Sequence, residues 1–306
     1  MRAAPLGFAT RHPRLGAALG ALAISQSSPL AKLSGASPAV VTLFRGAVAL
    51  PFLALLARRE GHAATPRDRA LAFVAGGLFA LDLQCFHLSI PLLGVGLATV
   101  VPNSQVFMVG LFAALAGERT PKRAIAAIPL AFLGLLMLAR VLDPFGANGL
   151  ADPTVIAAGS DPAQGVLWGL GAAAFYGLYL IITRRISTSA SGSAAVGPFT
   201  MLRDSALGTI AVSLALALAT GSLLPPEIWP GVGWLVLLAL MSQVLGYPLI
   251  NASIPHLPSV VGSLLLFVQP LMTLVAGVLI FGEIPTPGQL AGALILFGGV
   301  LVAARK

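Results

Sequence analysis

The sequence predicts an all-α integral membrane protein of ten transmembrane helices, arranged as two inverted five-helix repeats. Three observations carry that expectation. Charged residues make up only 9 % of 306 positions, whereas 57 % are hydrophobic. Ten apolar stretches each approach the length of a bilayer crossing. A 24-residue segment also recurs 165 positions later, an offset that spans an odd number of helices.

A soluble domain carries roughly 25 % charged residues. So few charges cannot coat a soluble globule of this size, and the mean hydropathy of +0.94 places most of the surface against lipid. The 34 glycines and 23 prolines fit closely packed membrane helices. Cys85, the single cysteine, excludes an intramolecular disulfide framework. No CxxC, HExxH or glycine-rich phosphate loop occurs, so no metal, cofactor or catalytic residue is expected.

A bilayer core about 30 Å thick needs roughly 20 helical residues per crossing. Stretches of that kind fall at 14–33, 38–57, 70–90, 95–116 and 122–140, then at 164–183, 198–220, 231–250, 259–281 and 288–304. Arg11 and Arg14 precede the first stretch, and Ala21-Leu22-Ala23 resembles a signal-peptide cleavage site. Only about six apolar residues lead to it, fewer than the roughly 7–15 of a signal core, so the stretch reads as an uncleaved spanning helix. With the N-terminus inside, 14 of the 18 Lys and Arg residues fall on the cytoplasmic side and only Arg140 falls opposite. Both termini are therefore expected in the cytoplasm of a cell inner (plasma) membrane, and the basic excess is a topology signal rather than a nucleic-acid footprint.

Gly117–Arg140 aligns without gaps to Gly282–Arg305 with eight of 24 positions identical, including the Gly-Glu start and the terminal Arg. The expected domains are a first five-helix repeat at 14–140, an external linker at 141–163 and a second, inverted repeat at 164–306. Inverted repeats let two pseudo-symmetric halves exchange conformations, as many secondary transporters do.

Charged or polar side chains inside a bilayer are costly and usually face a cavity or a partner. Lys32 forms a polar stripe with Ser25 and Ser28, which either lines a cavity or lets the lysine snorkel to the outer interface. Gln26 belongs to the same segment and is a cavity candidate. The third stretch holds Asp82, Gln84 and His87. Gln84 and His87 share a face, while Asp82 and His87 lie roughly 140° apart around the helix and do not pair directly. Asp82 and His87 are the candidates for proton coupling; the alternative is interhelical hydrogen bonding, worth about 0.6–2 kcal/mol. Arg45 and Arg203 read as ion pairs or helix-end packing. Asp204, about 100° around the helix from Arg203, is not expected simply to neutralise it.

Pro102 and Pro270 interrupt the fourth and ninth stretches near their middles. Pro removes a backbone donor and displaces the carbonyl one turn earlier, so Asn103, Gln105 and Gln269 could meet a polar solute there, or the bends could act as gating hinges. A static packing kink is the alternative. Trp168, Phe175 and Tyr179 recur at spacings of seven and four, with Tyr176 adjacent, as an aromatic wall would; Trp168 suits an interfacial belt equally. Tyr247 and Asn251 are further cavity candidates. Gly288 and Gly292 offer a small-residue face for internal packing or a dimer seam, with a monomer favoured.

Ser25-Gln26-Ser27-Ser28-Pro29-Leu30-Ala31-Lys32, Ser37-Pro38, Phe44-Arg45-Gly46 and the two Gly-Glu hairpins that follow proline-interrupted helices resemble, in their order, the EamA-type domains of the drug/metabolite transporter superfamily. An aromatic-glycine pair usual early in the family's first helix is absent, with Ile24-Ser25 nearby. The resemblance implies an ATP-independent exporter or exchanger of small metabolites such as amino acids. The inverted halves suit alternating access, with the bilayer and a small solute as partners and protons as a further one through Asp82 or His87. An integral membrane enzyme would need a catalytic constellation that these isolated residues do not form. A channel or assembly subunit would show flux without saturation.

Overall fold

The structure is a computed structural model that describes residues 7–60, 64–115, 122–138, 161–188, 196–223, 229–257 and 268–304, with isolated positions at 141, 142, 144, 261, 265 and 266. Among these the chain is helical throughout, without strands. The first Gly-Glu hairpin, most of the 141–163 linker and Arg305 lie outside the described residues.

A short α1 (Gly7–Arg11) leads into α2 (Pro13–Ser25) and α3 (Ser27–Ser34), with Gln26 between the last two. The first apolar stretch is thus two short helices. Gly35, at φ 62°, ends α3 in the left-handed region open to glycine. Helix α4 (Pro38–Ala57) starts on the Ser37 hydroxyl, which accepts from Val40 N, with Pro38 at a first-turn position where no N–H is needed.

Helix α5 (Pro66–Val100) begins with a capping box: the Thr65 hydroxyl accepts from Asp68 N, and the Asp68 carboxylate accepts from Thr65 N. It runs through Pro91 and breaks at one residue, Gly94, at φ 82° and ψ 163°. The connection expected over Pro91–Gly94 is therefore a single-residue turn. Asp82 and Asn103 line one cavity, although a straight helix would set them about 30 Å apart. The chain doubles back at Gly94, then passes through a 3-10 turn (Val101–Ser104) into α6 (Gln105–Leu115).

Helices α7 (Lys122–Leu138), α8 (Pro162–Thr188), α9 (Pro198–Ala219) and α10 (Gly231–Ala239) follow. A π-helical segment (Leu240–Gly246) then joins α10 to α11 (Tyr247–Ser253), and α12 (Val268–Phe281) and α13 (Pro287–Ala304) close the chain. Five helical stretches among the described residues are long and apolar enough to cross a membrane: Pro38–Ala57, Pro66–Val109, Pro162–Ile186, Pro198–Ala219 and Gly231–Ser253. Ala127–Leu138, Val268–Phe281 and Pro287–Val302 are shorter apolar helices.

The packing is that of a membrane bundle. Leu279 and Leu294 are 78 % and 72 % exposed, an outward apolar face that lipid rather than water can cover. Inside, small residues bring backbones together. Ser205 and Thr209 of α9 donate their hydroxyls to the Ala72 and Gly76 carbonyls of α5, both at 3.0 Å. Gly76 and Gly208 sit at the same crossing. Gly292 of α13 meets Gly134 and Met137 of α7, so this small-residue contact is internal.

Glu60, just beyond α4, caps α9 from outside: its carboxylate accepts from Phe199 N and Thr200 N, both at 2.8 Å, and from the Thr200 hydroxyl at 2.9 Å. A carboxylate at a helix N-terminus satisfies orphan donors and complements the dipole. Glu60→Ala should cost about 1–2 kcal/mol, read as a lowered midpoint of thermal unfolding of the purified protein. An unchanged midpoint would remove Glu60 from this role.

Arg203 corrects one expectation. Its Nε and Nη2 both reach Asp204 Oδ1, at 2.7 and 2.6 Å, and Arg69 Nε approaches Asp204 Oδ2 at 3.3 Å. The backbone directions diverge, but the long guanidinium arm folds back across one residue. Asp204 is thereby held between two arginines.

Candidate functional site

A cavity of about 200 Å³ lies at the centre of the bundle. Segments from both halves of the chain form its wall, and its one cationic member among the described residues comes from α4. Arg45 is 1 % exposed, and its Nη1 donates to the Ser27 hydroxyl at 2.7 Å. The guanidinium also faces the Tyr247 hydroxyl and the Asp82 carboxylate. Asp82, on α5, is itself buried and lines the cavity. Arg45 and Asp82 attract one another electrostatically without a direct hydrogen bond between them.

The 3-10 turn places Pro102 and Asn103 on the wall, and Gln105 follows at the start of α6. Asn103 Nδ2 donates to the Thr99 and Val100 carbonyls at 3.0 and 3.2 Å, so this side chain secures the tightened turn beside Pro102. On the opposite wall Gln269 and Pro270 come from α12, and Tyr247 and Asn251 from α11. Thr273 bonds the Ser25 carbonyl at 3.0 Å, tying α12 to the α2–α3 junction. Ile24, Leu83, Phe86, Ile250 and Leu266 give the rest of the cavity an apolar lining.

The structure thus brings together Asp82, Pro102, Asn103, Gln105, Tyr247, Asn251, Gln269 and Pro270 of the residues expected from sequence. It sets others apart. Gln26 donates to the Ser25 hydroxyl at the α2–α3 junction. Gln84 turns its carbonyl oxygen into the packed interior without a hydrogen-bond partner. His87 is buried and lines a separate groove with Lys32. Lys32 is bound to Glu283. Trp168 is 37 % exposed and, like the partly buried Phe175, lies off the cavity wall. Tyr179 enters a smaller neighbouring pocket, where it stacks at 5.2 Å on Phe79 and Tyr247 meets the same ring edge-on at 5.8 Å.

Arg45, Ser27, Ser28, Thr99 and Tyr176 complete the wall. Arg45 carried the one signal that could have placed it there, a permanent charge well inside an apolar stretch. Nothing in the sequence marks Thr99, which joins the wall because the chain reverses at Gly94 and its hydroxyl meets Ser28 at 3.1 Å.

Residues 163–305 match the EamA-like transporter family. No curated protein matches the chain. A protein of known crystal structure resembles it in fold, with a TM-score of 0.57, 21 % identity and 96 % of each chain covered. The chain is therefore a multi-pass membrane protein carrying, over residues 163–305, a domain of the EamA-like transporter family, which belongs to the drug/metabolite transporter superfamily.

Proposed function

We propose that the protein is a secondary carrier that moves small zwitterionic metabolites of the amino-acid kind across the inner membrane by alternating access, in the direction of export. The reversal at Gly94 supports two passes within 66–109, and with the shorter apolar helices it favours ten crossings in two inverted halves. The 14-to-1 distribution of basic residues favours cytoplasmic termini.

One observation carries the substrate reading. Arg45 and Asp82 are buried, opposite in formal charge, open to one cavity and without a direct hydrogen bond between them. A zwitterion satisfies both at once, its carboxylate on the guanidinium and its ammonium on the Asp82 carboxylate. The volume of about 200 Å³ lies below the roughly 300–1,000 Å³ of drug-sized sites. The apolar lining receives an uncharged side chain. Pro102 and Pro270 serve as hinges where the wall bends.

Purified protein in liposomes preloaded with neutral amino acids should show saturable counterflow of labelled amino acid. Flux that rises linearly with concentration would mark a channel instead. Asp82, in the cavity wall, and His87, in the separate groove, are the proton candidates. If Asp82→Asn and His87→Ala both leave a pH-driven component of uptake intact, proton coupling runs through neither.

A further inference from the structure

Three segments of the cavity wall are tied together by contacts that run from its lining to a carboxylate one helical turn away. Ser28 of α3 and Thr99, beyond the Gly94 turn, meet in the cavity wall. One helical turn further along both segments stand Lys32 and Val95. Glu283, in the α12–α13 hairpin, joins them: Lys32 Nζ donates to Oε1 at 2.6 Å, and Val95 N donates to Oε2 at 2.6 Å. The Lys32 ammonium also lies 4.5 Å over the Phe281 ring.

The seat is built for a carboxylate. A Cβ on Gly94 would stand 2.7 Å from Glu283 Oε2, and one on Gly277 2.8 Å from it, so two glycines leave the space that the carboxylate fills. The Glu283 side chain is 8 % exposed, whereas that of Lys32 is 37 % exposed and borders the groove outside. One carboxylate therefore ties together α3, the reversal of α5 and the α12–α13 hairpin, three segments that continue into the cavity wall. A tie between separate segments, closed by a half-exposed pair, can part and re-form without unfolding a core.

We propose that Lys32 and Glu283 are the latch that keeps the Ser28–Thr99 end of the cavity shut, and that the latch must part for this end to open during the cycle. The proposal rests on the transport reading for its purpose, but its test needs no solute. In a Cys85→Ala background, Leu97→Cys reports opening, because Leu97 is 2 % exposed and lines the small void under Glu283. Glu283→Gln keeps an acceptor for Val95 N and removes the charge; Lys32→Met removes the opposite charge at similar length. Each should raise the rate of maleimide labelling at Leu97→Cys about tenfold, the effect of losing 1–2 kcal/mol from the closed state. The double variant should label no faster than the quicker single one, because both changes break one interaction. Lys32→Arg, which keeps the pair, should label at the parent rate.

Unchanged labelling in the single variants would overturn the latch, as would a double variant equal to the product of the singles. An equal rise at Ile186→Cys, 2 % exposed on α8, would also overturn it, because general loosening would then be the cause. Labelling that rises in a protein without saturable flux leaves the latch standing and removes the transport reading. Saturable flux with unmoved labelling removes the latch alone.

Discussion

Arg45→Leu should abolish saturable counterflow and lower thermal stability together. The guanidinium is fully enclosed, bonded to Ser27 and facing Tyr247 and Asp82. Removing one partner of a buried charge pair costs about 3–5 kcal/mol, because the other charge stays behind uncompensated. The paired variant Arg45→Leu/Asp82→Asn separates the two roles. It leaves no lone charge, so the thermal midpoint should recover most of the loss. Flux should not recover, because the site for a solute carboxylate is gone, and the affinity deficit should remain about 100-fold or more. A double variant that transports like the parent would show that Arg45 only balances Asp82 and never touches the solute. Lys at position 45 is an informative intermediate, since it keeps the charge but loses the fork that reaches Ser27 and a carboxylate together.

The other large effect is expected far from the cavity, where α5 crosses α9. A side chain at Gly76 would run into the Ser205 carbonyl, and one at Gly208 into the Phe73 carbonyl. Both obstacles are backbone atoms within helices, so neither can turn aside. Gly76→Val and Gly208→Val should each cost about 1–3 kcal/mol or more from overpacking. The Ser205–Ala72 and Thr209–Gly76 hydrogen bonds would be strained as the helices part. The readout is loss of the monodisperse peak in size-exclusion chromatography. Gly298→Ala is the control: a Cβ there meets nothing within 4 Å, and alanine in a helix interior is worth roughly 0.5–1 kcal/mol over glycine. Valine tolerated at position 76 without loss of the peak would mean that this crossing is looser than its contacts indicate.

Helix positions were legible from the sequence wherever a local signal marked the end. Apolarity from 38 to 57, with Ser37 and Pro38 at its head, anticipates α4 residue for residue, and α9 begins at Pro198 as expected. Pro91 misled, because a proline near a helix end can be carried through, and the chain instead turns at the glycine three residues on. The division of the first stretch at Gln26 does have a breaker behind it, Pro29, whose missing N–H frees the Ser25 carbonyl that Thr273 bonds. The site was legible in its proline-flanked half: Asn103, Gln105 and Gln269 meet because both interruptions reach mid-bundle. His87 and Trp168 lie off this cavity for a common reason. Helical periodicity shows which residues share a face but not which neighbour the face meets. Arg203 and Asp204 show the converse limit, where a flexible arm overrides the angle between two Cβ directions.

The shared enclosure of Arg45 and Asp82 bears finally on energetics across a charged membrane. One guanidinium and one carboxylate make the cavity formally neutral. A carrier built this way shifts no net charge when it reorients empty, and none when it reorients around a zwitterion. Moving one elementary charge through the membrane potential is worth about 2.3 kcal/mol per 100 mV. A neutral or zwitterionic cargo escapes that term, so its counterflow should be indifferent to an imposed voltage, whereas a singly charged solute in the same cavity would be driven or opposed by it.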